Sequence, residues 1–297
     1  MNIIFDNIKR VEIIPDKINK YKTESEFMDL SVELFKEIGL IILTLANIIK
    51  RDDNNKLIKW NKNEAIIVGN LIRINKLQNS FLDNICQKRR EITVILSRCL
   101  AETIINLLYI LKNIKNSKVY TEFIEYSMRE EKELLIKIDE NVKKRGSELP
   151  IEKRMRNSIL SSLNQSGLKI EDIKKSIGKS WTTSLYKKAK EVELLDIFYA
   201  IYSLPTHAVH GNWQDLIDYH INFKENGYEP NSKWHIPRPQ QITGVGYLSV
   251  LVCKKYAKTF LTFMNFNEIK NILEDIEKRL FTLDKLHESF IQKQTNK

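Results

Sequence analysis

Between residues 24 and 51 the apolar side chains Phe27, Leu30, Leu34, Phe35, Ile38, Ile41, Ile42, Leu45, Ile48 and Ile49 recur at steps of three and four. That period puts them on one face of an α-helix. It returns over residues 63–87, 88–113 and 117–144, and again over 183–204, 243–264 and 267–295. No sustained two-residue alternation and no internal repeat interrupts the series. Nine glycines and six prolines in 297 residues are too few for the many turns of a sheet protein. The expected fold is therefore all-α, a bundle of long helices forming one domain over residues 1–297.

The breaks are local. DDNN (52–55) ends the first helix, whereas nothing clearly divides 63–87 from 88–113, so those two read as one bent rod or two helices. RGSELP (145–150) is a clear stop. Residues 151–190 read as short helices around 155–163 and 170–177, and FKENGYEPNSKWHIPRPQQ (223–241), with three prolines, reads as the longest loop. The chain's net charge of +10 is concentrated: residues 141–190 hold thirteen Lys/Arg against four Asp/Glu. A small basic helical insertion or lid is expected over 145–190. Lys143, Lys144, Arg145, Arg154, Arg156, Lys187 and Lys188 are its candidate phosphate contacts, although a Lys-rich solvated face would have the same composition. Trp181, Trp213, Trp234 and Tyr228 are expected as core or loop anchors in preference to base-stacking platforms.

Some functions are disfavoured. The longest apolar run, IGLIILTLANII (38–49), has twelve residues, short of the roughly 20 that a membrane span requires. It is expected as a buried core helix, with no membrane association. The N-terminal stretch lacks the basic start and apolar core of a signal peptide. Cys86, Cys99 and Cys253 show no C-x-x-C spacing, and a reducing cytoplasm is the expected home. GKS (178–180) has Ile173 where a phosphate-binding loop needs glycine, and GVG (244–246) lacks a third glycine. No cofactor is expected.

Two polar constellations remain. In SRCLAETIINLLYIL (97–111), Arg98, Glu102 and Asn106 fall four apart and Tyr109 three further on, so a helix would carry one polar stripe across an apolar rod. Buried charge persists when it is paired, and the stripe reads either as an Arg98–Glu102 pair that fixes helix register or as the wall of a pocket. In THAVHGNW (206–213), His207 and His210 share a helical face, Gly211 is a candidate left-handed cap and Asn212 with Asp215 resembles a capping box. Histidine near a helix C-terminus suits general acid or phosphate-binding work. Recruiting Asp215, Asp218 or His220 yields no recognised metal-ligand spacing, so no metal is expected.

The pattern R-x-x-x-E-x-x-x-N-x-x-Y at Arg98, Glu102, Asn106 and Tyr109, followed by Y-x-x-x-[ST]-x-x-V-H at Tyr202, Thr206, Val209 and His210, resembles an uncharacterised bacterial family of helical proteins over roughly residues 65–220. That family is in turn distantly similar to the HEPN (higher eukaryotes and prokaryotes nucleotide-binding) group, which includes many metal-independent ribonucleases of toxin and antiviral systems. HEPN ribonucleases carry R-x(4–6)-H, in which the arginine holds phosphate and the histidine moves a proton, often in a site shared by two subunits. Ser203 stands here where an arginine would follow Tyr202. The resemblance thus implies an RNA-directed effector in which Arg98 crosses from its own helix to His210, Glu102 orients it or assists proton transfer, and His207, Asn106, Tyr109 and Tyr202 line the substrate. A homodimer is the implied assembly. The competing expectations are a non-enzymatic module that binds a partner protein around a structural polar core, and a protein acting on a small phosphorylated molecule.

Overall fold

The computed structural model describes residue 5 and residues 7–173, 181–203, 205–263 and 266–295. Its elements run α1 (Pro15–Ile18), α2 (Glu24–Ala46), α3 (Lys62–Cys86), α4 (Arg90–Lys112), α5 (Ser117–Arg145) and α6 (Pro150–Ser166). Shorter pieces follow: α7 (Leu185–Glu191), α8 (Leu195–Phe198), a π-helical turn at Tyr199–Ser203, α9 (Thr206–His210), α10 (Trp213–Asp215) and a second π-helical turn at Leu216–His220. An antiparallel hairpin, β1 (Ile221–Lys224) and β2 (Gly227–Pro230), then leads into α11 (Pro239–Thr259) and α12 (Phe266–Thr295). The fold is an all-α bundle with one small hairpin.

The long helices start where local chemistry supplies the orphan amide donors. Glu26 accepts from the Thr23 backbone N–H at the start of α2, and Asn61 and Glu64 cap α3 reciprocally. The apolar faces then meet in one core. α4 lies at its centre, packed by α3, α11 and α7, while α11 also packs on α2 and α12. Leu71, Ile74, Phe81, Leu100, Ile104, Leu107, Leu45 and Val252 are fully enclosed there. By length and composition α4 is apolar enough to cross a bilayer, yet it is a core helix of this bundle. Gly246 lets α11 approach its neighbours: a Cβ there would stand 3.2 Å from Leu280 Cδ2 and 3.3 Å from Ile38 Cδ1.

The second cluster is small. Leu135 and Ile138 of α5 meet Ile159 and Leu163 of α6 and Ile173, separately from the main core. At about 1.5 Å per residue, the 29 residues of α5 carry this hairpin well past the main core. Lys62 Nζ donates to Ser166 O (2.9 Å) and ties the C-terminal end of α6 back to α3.

One open reading is decided and several others are corrected. The 63–113 stretch is two helices, because Lys88 adopts a left-handed φ of 57° without being glycine and the Arg89 N–H closes on Asn84 O (2.9 Å). α2 ends at Ala46, three residues before Ile49, the last apolar residue of its period. The helix expected around 155–163 extends over the whole of α6. Of the stretch 170–177, Ile170–Asp172 is a single 3-10 turn and residues 174–177 lie outside the described residues. The 183–204 helix is broken, since Glu193 takes φ 62° between α7 and α8 and the chain widens into a π turn at Tyr199–Ser203. The loop expected over 223–241 is instead entered by a strand pair, β1 from Ile221 and β2, whose residues are almost all exposed and so carry no apolar alternation in the sequence.

Candidate functional site

The polar stripe of α4 faces α7 and the π turn before α9. Arg98 Nη2 donates to Tyr202 Oη (3.1 Å), and the guanidinium carbon stands 4.6 Å from the Tyr202 ring centroid. Its other terminal nitrogen, Nη1, is buried without a hydrogen-bond partner. Further along α4, Asn106 Oδ1 accepts from Lys188 Nζ (3.1 Å), and Tyr109 meets Trp181 edge-on at 5.6 Å. The Lys188 ammonium lies 3.3 Å from the Trp181 ring centroid. Glu102 is exposed, and among the described residues no ion pair joins it to Arg98. The stripe is therefore one seam with two stations, Arg98 on Tyr202 and Asn106 with Tyr109 on Lys188.

The two histidines have different surroundings. Gly211 closes α9 at φ 56° and leaves His210 exposed at its last position. His207 is half-buried and its Nδ1 lies 2.6 Å from Asn212 Nδ2. Asn212 Oδ1 accepts from the Asp215 N–H (3.3 Å), which caps α10 and fixes the amide orientation. His207 Nδ1 is thus the acceptor, and its neutral ring carries the proton on Nε2.

His207 lines a cavity of about 700 Å³ between α4, the 200–208 segment, the second π turn and α11. Arg90, Asp215, Asp218, Tyr219 and Gln240 supply its other principal polar groups. Asp215 is buried and its Oδ2 lies 3.3 Å from His220 Nε2. Burial raises the Tyr219 hydroxyl above its ordinary pKa, and the Arg90 guanidinium, 5.8 Å from that ring, opposes the shift. Arg98, Glu102 and His210 are not among the residues that line this cavity. Among the described residues, no three His, Cys, Asp or Glu side chains are grouped to hold a metal ion.

Residues 64–228 match the model of a family of unknown function, DUF5677. The chain belongs to this family. No curated protein matches it, and no solved structure does. The DUF5677 segment begins in the first turn of α3 and ends within β2, so it contains the whole α4 stripe and both histidines. Gln240 and the rest of the α11 wall lie beyond it.

Within the DUF5677 segment the expected basic surface divides. Lys143, Lys144, Arg154 and Lys187 are exposed without an ion pair among the described residues. Arg145 is tied to Glu152, and Arg156 to Asp139 (2.7 Å) and Glu148 (2.9 Å). Lys188, expected beside Lys187 on that surface, is instead 1% exposed, because α7 turns it toward α4. Burial pushes its ammonium down to about 7, against the Glu102 carboxylate, which favours the charged form. From about pH 7 to the unfolded value near 10.5, the unfolded chain binds more protons at this group, so stability rises with pH there and is flat below. Urea titrations are expected to show parent stability rising from pH 7 to 9 by about 1 kcal/mol per unit relative to Lys188→Met. Parallel curves for the two proteins would contradict this.

Of the aromatic residues, Trp181 is core, as expected. Trp213, Tyr228 and Trp234 are not core residues: they are 56%, 55% and 54% exposed. The hairpin has little core to cover it, and Tyr228 meets only neighbours such as Trp213 and Phe223. Arg89 lies 5.4 Å from the Trp234 ring centroid, and Lys88, Lys233 and Arg238 are exposed nearby in the chain, none in an ion pair among the described residues. The Arg90 N–H to His235 O (3.0 Å) and His235 Nδ1 with Glu91 Oε1 (2.6 Å) hold that loop against the start of α4. The sequence reading missed this second basic surface, since its cations come from 88–90 and 233–238 and form no charge run.

Proposed function

We propose that the chain is a cytoplasmic, RNA-directed effector that cleaves single-stranded RNA without a metal ion, of the toxin or phage-defence type. The observation that carries the reading is Arg98 stacked on Tyr202, beside Ser203, so that a guanidinium from α4 reaches the segment leading to His210. In this reading Arg98 neutralises the phosphorane and Glu102 takes the proton of the attacking 2′-hydroxyl. The bond from phosphorus to the 5′ oxygen breaks as His210 protonates that oxygen. A homodimer would let each subunit add basic residues to its partner's strand. Incubation of RNA with the protein in EDTA tests the reading: the parent cleaves and Arg98→Ala does not.

Strand binding has its own check. Trp234 beside Arg89 offers a base-stacking platform with unpaired cations around it. Trp234→Ala combined with Arg89→Gln is expected to weaken binding of a ten-nucleotide RNA by about tenfold or more, measured by fluorescence anisotropy. Unchanged binding would remove this surface from the account. A second reading, a protein-interaction module with a structural polar core, is favoured by the Asn106–Lys188 bond, which engages half of the stripe internally. Its signature is an intact RNA in every assay, with loss of folding in Arg98→Ala.

A further inference from the structure

The surface beside Trp234 carries an oriented histidine outside the residues assigned to cleavage. His235 Nδ1 lies 2.6 Å from Glu91 Oε1, which also accepts the His235 backbone N–H (3.2 Å). Glu91 is buried, and Tyr219 meets the imidazole edge-on at 5.3 Å. Carboxylate and ring contact together fix the imidazole. Its opposite edge is open: the side chain is 32% exposed, and Nε2 is unpartnered among the described residues without being one of the atoms closed to solvent.

A carboxylate can only accept, so the neutral ring keeps its proton on Nδ1 and presents Nε2 as an acceptor. A strand bound there must therefore offer a donor. Phosphate oxygens offer none and base edges differ from residue to residue, whereas every ribonucleotide carries a 2′-hydroxyl that deoxyribonucleotides lack. The Cα atoms of Trp234 and His235 are about 3.8 Å apart, so a base stacked on the indole brings its own or the adjoining ribose to the imidazole. Lys88, Arg89, Lys233 and Arg238, exposed and in no ion pair among the described residues, complement the phosphates. We propose that His235 Nε2, held outward by Glu91, accepts a hydrogen bond from a 2′-hydroxyl, so that this surface selects RNA over DNA. The selectivity rests on strand binding at Trp234, as proposed above, and not on cleavage by Arg98 and His210.

Fluorescence anisotropy at pH 8 tests this with a ten-nucleotide RNA and with the DNA and 2′-O-methyl RNA of the same sequence. The full chain carries His210→Ala, so that the RNA stays intact. RNA is expected to bind about three- to tenfold more tightly than either analogue, the contribution of one hydrogen bond. His235→Ala should bring RNA to the DNA affinity and change the DNA affinity by less than about twofold, since DNA has no donor there. That substitution strands the buried Glu91 carboxylate, so Glu91→Leu with His235→Phe is measured beside it. The pair keeps a ring on Tyr219 and should lose the preference equally, and DNA affinity held in both variants reports an intact fold. Equal binding of RNA and either analogue, a preference that survives both variants, or an equal fall in RNA and DNA affinity in both overturns the selectivity and leaves strand binding standing. Binding of no strand overturns the two together.

Discussion

Replacement of His210 by alanine is expected to slow RNA cleavage by about 10²–10⁴-fold, the usual contribution of one positioned acid or base. The folded state should scarcely notice. His210 is exposed at the end of α9 and makes no hydrogen bond among the described residues, so the melting temperature should fall by no more than about 2 °C. Arg98→Ala should lose activity to a comparable extent but also stability, by about 1–2 kcal/mol, since it removes both the bond to Tyr202 and the cation over its ring. Arg98→Lys keeps the charge without the planar fork and is expected to recover little activity. Equal cleavage by parent and His210→Ala, or unfolding of the latter, would contradict the assignment.

The largest stability effect is expected outside the DUF5677 segment. Arg279 of α12 donates through Nη1 and Nη2 to the two Glu37 oxygens of α2, both at 2.6 Å, and the side chains are 6% and 5% exposed. The remaining valences are filled: Arg279 Nη1 also donates to Val11 O (2.9 Å), Nε to Asp275 (2.8 Å), and the Val11 N–H donates to Glu37 (2.8 Å). A buried pair of this kind gains little over a hydrophobic replacement of both partners, but breaking it strands a charge. Glu37→Gln should therefore cost about 3–5 kcal/mol in urea unfolding, whereas Glu37→Met with Arg279→Met should recover most of it. A single-substitution loss under about 1 kcal/mol would mean that the pair is wetter than its burial implies.

What the sequence disclosed follows from how far apart the interacting residues lie in the chain. Helical period is a local property, and α2, α5 and α12 could be read from it to within a few residues. Caps are local too, and the left-handed Gly211 and the Asn212–Asp215 cap were legible. Lys88, Glu193 and Glu225 instead take positive φ without being glycine, so the α3–α4 turn, the α7–α8 break and the hairpin carried no glycine signal. At the candidate site the stripe Arg98, Glu102, Asn106 and Tyr109 was visible, because four residues on one helix suffice to draw it. Its partners were not. Lys187 and Lys188 are chemically alike, and only the packing of α7 distinguishes a solvated ammonium from one against Trp181. The cavity was least legible, since Arg90, His207, Tyr219 and Gln240 come from four elements and no spacing relates them.

The central claim is that Arg98 and His210 make an RNA-cleaving site that needs no metal. A DNA oligonucleotide containing one ribonucleotide, incubated with the protein in EDTA, tests it most directly by product mass. The account predicts a single cut after the ribonucleotide, with a 2′,3′-cyclic phosphate on the upstream fragment and no cut with His210→Ala. An intact substrate with the parent protein, or the same cut with His210→Ala, would contradict it.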